Sequence, residues 1–89
     1  MAEFKTQVAS DVVRDGLGIE LIDATGKVIA EVFRCDANHT VIVSTFGNDI
    51  PIQAVEQLLQ RALRELEPFE DGTPLSQAKI CAARPSTSE

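Results

Sequence analysis

The stretch DIPIQAVEQLLQRALRELE, Asp49 to Glu67, decides the fold. Its apolar residues fall at Ile52, Val55, Leu58, Leu59, Ala62, Leu63 and Leu66. Spacings of three and four put them on one stripe of a 3.6-residue helix. Gln53, Glu56, Gln57, Gln60, Arg61, Arg64 and Glu65 fill the other side. Leu, Ala, Gln, Glu and Arg favour helix, and no glycine interrupts them. Pro51 suits a first turn, where its missing N–H costs nothing. Asn48 or Asp49 is placed to cap the free amides, although Pro51 pushes Ile50 away from helical angles. Pro68 ends the segment. The spacing predicts one long amphipathic helix over 50–67. Such a helix is marginal alone in water, so its stripe needs a sheet to lie on.

That sheet is legible upstream. Residues 17–22 alternate, with Leu17, Ile19 and Leu21 on one face. Asp23 to Lys27 has Asp first and Gly26 fourth, as in a type I turn closed by a glycine bulge. Residues 28–35 read as a second strand, 36–39 as a turn, and 40–46 as a third strand rich in β-branched residues. Short connections make this a meander of antiparallel neighbours. The expected fold is therefore α+β: a three-stranded antiparallel meander with the helix packed on one face. Residues 1–84 form one domain and 85–89 a disordered tail. Residues 1–11 allow either a short helix through Phe4, Val8 and Val12 or an extended arm. Leu75 to Ala83 allows a short helix, and Lys79 to Ala82 an edge strand.

The first hairpin poses a conflict. The bulged turn sets Leu21 opposite Ile29 and Ile19 opposite Glu31. The polarity pattern prefers Leu17, Ile19 and Leu21 beside Val28, Ala30 and Val32, with Glu20 next to Glu31. The two registers differ by one residue, which turns a whole strand over. The reading adopted follows the turn chemistry.

Either register leaves an apolar surplus, because one helix covers one sheet face. Ile22, Ile29, Phe33, Ile42 and Phe46 cannot all share the face of Leu17, Ile19, Leu21, Val41 and Val43. Soluble proteins seldom leave such a surface bare, and a two-fold homodimer is the commonest cover. The expectation is a non-enzymatic protein-interaction module that associates with itself. Its contact surface is Ile22, Ile29, Phe33, Ile42 and Phe46, with the two aromatics as anchors.

Charge and chemistry limit the alternatives. A formal net charge of −6 argues against binding nucleic-acid phosphates or anionic lipid. No apolar run reaches the length of a membrane span, and the first ten residues lack a signal-peptide core. Two widely separated cysteines suit reduced thiols and a cytoplasmic protein. The rival reading is a small thiol-dependent enzyme or ligand binder using Cys35 and His39, four residues apart around a turn with Asp36. A strand-end cysteine and a solvated turn histidine explain the same residues. Cys35, Asp36 and His39 fall short of the four ligands that structural zinc takes, so no metal and no cofactor is expected. Glu20 and Glu31 read as ordinary surface charge near Arg14 and Arg34. Gly16-Leu17-Gly18 leads into a strand rather than a helix, which excludes a phosphate loop. An acidic inhibitor or immunity-type protein masking a basic target is the third reading. A helix over 3–14 would give an element order that resembles a double-stranded-RNA-binding domain. Asn48, Asp49 and Glu56 then stand where that family places basic residues, so RNA binding is not expected.

Overall fold

The computed structural model describes residues 3–80. The elements are β1 (Lys5–Asp11), β2 (Gly16–Ile22), β3 (Val28–Cys35), β4 (Thr40–Ser44), α1 (Ile52–Glu65) and a 3-10 turn, Leu75–Gln77. The strands form one antiparallel sheet in the order β1-β2-β3-β4. The α+β class holds, and the strand number is corrected from three to four. Residues 5–11 are the added strand, so the arm is extended and the RNA-binding element order does not arise. Leu75–Gln77 shortens the helix expected there, and Lys79 and Ile80 form no strand. The tail at 85–89, Cys81 and the end of that expected segment lie outside the described residues.

The β2–β3 register satisfies both signals that were in conflict. At the loop, Asp23 N donates to Lys27 O over 2.9 Å, as the turn chemistry requires. A bulge between Leu21 and Ile22 then absorbs one residue. Beyond it Leu21 faces Ala30, Ile19 faces Val32 and Glu20 faces Glu31. The turn therefore does not set the strand register. Core burial does, because the other register would turn β3 over and place Glu31 in the core.

Leu17, Ile19, Leu21, Ala30 and Val32 form the helix-side face. Ile19, Leu21, Ala30 and Val32 join Ala54, Leu58, Ala62 and Leu66 in one core cluster. Each large aliphatic side chain buried there contributes about 1.5–3 kcal/mol before entropy is subtracted. The helix buries a narrower stripe than its sequence offers. Ala54, Leu58, Ala62 and Leu66 are buried, whereas Ile52 is 77% and Leu63 66% exposed. Arg61 fixes this roll, donating to Thr6 O at 2.7 Å on strand β1, and Gln57 reaches Phe4 O. Arg34 ties down the other end of α1, donating to Leu66 O at 3.1 Å and Pro68 O at 2.9 Å. Leu66 O is a carbonyl that the helix end leaves without a partner, and Pro68 lies just beyond it. At the start of α1 neither expected cap bonds a helix amide. Asn48 instead donates to Ile29 O and Thr45 O, which pins the β4–α1 connection to β3. Phe69, just past α1, is 1% exposed and closes the core beside His39.

Candidate interaction surface

The outer sheet face is where the surplus was expected, and the chain covers its centre itself. Phe33 lies across Gly16 and Gly18 of β2. An added Cβ on Gly16 would stand 2.6 Å from Phe33 Cζ, and one on Gly18 3.2 Å from Phe33 Cδ1. The missing side chains make a trough for the ring. Arg14, from the β1–β2 loop, closes that trough with its guanidinium carbon 3.9 Å above the ring centroid. The same guanidinium donates two bonds to Glu31, at 3.1 and 2.9 Å, and a third to Asp11. Phe33 is thereby 7% and Glu31 6% exposed. The Arg14 hydrogen bond holds the Asp11 carboxyl below the usual aspartate range, and Glu31 chiefly stabilises the charged form of Arg14. Gln7 satisfies the neighbouring Glu20.

The expected contact residues therefore divide. Phe33, one of the two expected anchors, is buried beneath Arg14, and Ile29 is buried with the core cluster. Ile22 is half-buried. Ile42 is 44% and Phe46 58% exposed.

One exposed apolar surface lies on the helix side of β4, apart from the exposed Val12 and Val13 of the β1–β2 loop and Ile80. Helix geometry puts Ile52, Leu59 and Leu63 within a narrow arc of α1, opposite Gln57 and Arg61. Those two polar residues reach β1, so the apolar arc faces the β4 side. Val43 pairs with the core residue Val32, which places it on the helix side of β4, yet it is 50% exposed. Between β4 and α1 stands Phe46. Its φ is +54° and that of Gly47 is +79°, and Asn48 N donates to Thr45 O. This is a turn with two successive left-handed residues, which Asn and Gly fill readily and a phenylalanine does not. Holding such a residue there costs on the order of 1–2 kcal/mol, and the exposed ring returns little burial to this chain.

The proposed thiol site is not assembled. Cys35 Sγ donates to Arg14 O at 3.4 Å on the outer side. The His39 ring meets Asp71 Oδ2 at 2.8 Å and packs on Phe69. Asp71 is held below the usual aspartate range mainly by Thr73, whose N–H donates to it. Among the described residues no hydrogen bond joins Cys35 to His39, and no three His, Cys, Asp or Glu side chains cluster as metal ligands. Two open hollows flank the sheet, the first mostly polar and the second mixed, with Val12, Leu17 and Arg34 among its lining. One is lined by Thr6, Gln57, Arg61 and Arg64, the other by Asp11, Asp15, Asp36 and Glu70. Among the described residues no helix is long and apolar enough to cross a membrane.

The Arg14 trough escaped the sequence reading, although glycines at alternate strand positions are a signal of close approach. The helical spacing places Ile52, Leu59 and Leu63 on the buried stripe, whereas the structure leaves them exposed. No protein-family model, no curated protein and no solved structure matches this chain.

Proposed function

We propose that this chain is a non-enzymatic protein-interaction module that associates with itself. Its contact surface is the helix-side flank of β4 and α1, comprising Val43, Phe46, Ile52, Leu59 and Leu63, with Ile42 at its border. One observation carries the reading: an aromatic residue is held in a left-handed turn with its ring in solvent, between two elements that expose aliphatic side chains on the same flank. Local strain kept without an internal reward points to a role outside the monomer. Scattered exposed aliphatics are ordinary, whereas a continuous patch is a mark of contact. This flank, rather than the outer sheet face, carries the contact, because Arg14 already covers Phe33.

Sedimentation velocity on the full chain from low to high micromolar concentration tests it. A rise in weight-average mass above one chain supports association, and a single 9.6 kDa species throughout overturns it. Replacing Leu63 with Glu, at a site 66% exposed, is expected to keep the fold and lower the associated fraction.

A further inference from the structure

We infer that the occupant of this surface is a second copy of the chain, joined edge to edge through β4. The two sheets then form one eight-stranded antiparallel sheet, with Val43 and Phe46 of both copies filling the space between the α1 flanks above the seam. This rests on the self-association proposed above and adds its geometry.

The two edges of the sheet are treated differently. On β1, Lys5 and Asp11 are charged, and Arg61 and Gln57 occupy the carbonyls of Thr6 and Phe4. Charged side chains and covering groups are how sheet edges are kept from pairing. β4 reads TVIVS, with no charge and no proline. Its one described cover is at the end, where Lys79 N donates to His39 O. An uncharged, β-branched edge is a template for another strand.

The helix side agrees. α1 packs on β2 and β3, which leaves Val43 half exposed on the face a partner's helix flank would overhang. Phe46 alone exposes on the order of 100 Å², given the size of aromatic side chains. The five flank residues together expose roughly 500 Å² per copy, so a two-fold contact can bury up to about 1,000 Å² there, near the minimum for a specific interface before the β4 edges are counted.

Charge selects the two-fold arrangement. Asn48 bonds to the start of β3 and Arg34 to the end of α1, so α1 runs with β3 and against β4. Lys79 marks the Thr40 end of β4, and Asp49 follows its Ser44 end. Antiparallel pairing sets the Lys79 end of one copy beside the Asp49 end of the other. It also opposes the two helix dipoles.

Nitroxide labels measure this geometry. In full-length chain carrying Cys35→Ser and Cys81→Ser, one label is attached through Ile42→Cys and, separately, through Gln7→Cys. Circular dichroism checks the fold, and pulsed dipolar spectroscopy reads the separation between copies. Edge pairing puts the two β4 backbones about 4.8 Å apart, while the two β1 strands sit seven spacings apart, roughly 34 Å. Strong coupling at position 42 with a long distance at position 7 supports the inference. A shorter distance at position 7 than at 42 overturns the β4 seam but leaves self-association standing. No coupling between copies at either position, with sedimentation reporting one chain, overturns both, including where β4 takes a strand from a different protein.

Discussion

Arg14→Ala removes the only described cover from the centre of the outer face. Glu31 would remain, 6% exposed, without the guanidinium that satisfies both its oxygens. Leaving a hydrogen-bonded carboxylate unpaired costs about 1–3 kcal/mol. The Arg14 side chain is 49% exposed, so water replaces part of what is lost and the lower half of that range applies. Losing the guanidinium over Phe33 adds about 0.5–1 kcal/mol. The expected loss is therefore about 2 kcal/mol, against a total near 4–13 kcal/mol for a chain of this size. A loss of that size lowers the melting temperature by about 10 °C. Trp and Tyr are absent, so guanidinium unfolding is best followed by far-ultraviolet circular dichroism. A double-mutant cycle with Glu31→Gln isolates the pair, with an expected coupling of about 1 kcal/mol or more. Arg14→Lys should fall between wild type and Arg14→Ala, because an ammonium cannot span both oxygens. A cycle coupling below about 0.3 kcal/mol, within the error of independent sites, refutes the account of this face.

Gly16→Ala should destabilise by about 2–3 kcal/mol in the same unfolding assay, because its Cβ would overlap Arg34 O, a backbone atom that cannot move alone. Gly26→Ala meets nothing within 4 Å and should lose only about 1–2 kcal/mol from its φ of +92°. Phe46→Asn should stabilise the monomer by about 1 kcal/mol, since Asn accepts the left-handed turn, while sedimentation shows weaker association. Asp11, Asp23 and Asp71 all have lowered pKa values, from hydrogen bonds with Arg14, Thr25 and Thr73 respectively. In each case the unfolded chain takes up the proton first, near the ordinary value of 3.8. Their contribution is thus present at neutral pH and is lost as pH falls from about 4 through the lowered folded values. Unfolding midpoints from these groups should be flat from pH 6 to 8 and drop below pH 4.

The helix and strands β2, β3 and β4 were legible because burial imposes a period on them. Leu58, Ala62 and Leu66 recur every four residues, and Leu17, Ile19 and Leu21 every two. Strand β1 carried no such mark. Lys5, Gln7 and Asp11 lie on its outer side and Thr6 and Ser10 on its inner side, so an edge strand with two polar faces shows no alternation. The bulge at Leu21 and Ile22 was hidden because turn chemistry and polarity each fix a register over a few residues. Neither says that an extra residue can reconcile them. The roll of α1 depended on Arg61 finding a carbonyl on β1, a contact 55 residues away in sequence. That contact decides that Leu59 and Leu63 face solvent rather than core. The cover of Phe33 combined three signals with little meaning apart: an arginine in a loop, two glycines in a strand, and an aromatic on its neighbour.

Amide hydrogen exchange at low and high protein concentration tests the β4 seam most directly. Edge-facing amides of Thr40 to Ser44 are expected to gain protection as concentration rises, while those of Lys5 to Asp11 on β1 keep the same rates. Rates along β4 that ignore concentration, in samples where sedimentation reports association, would contradict it.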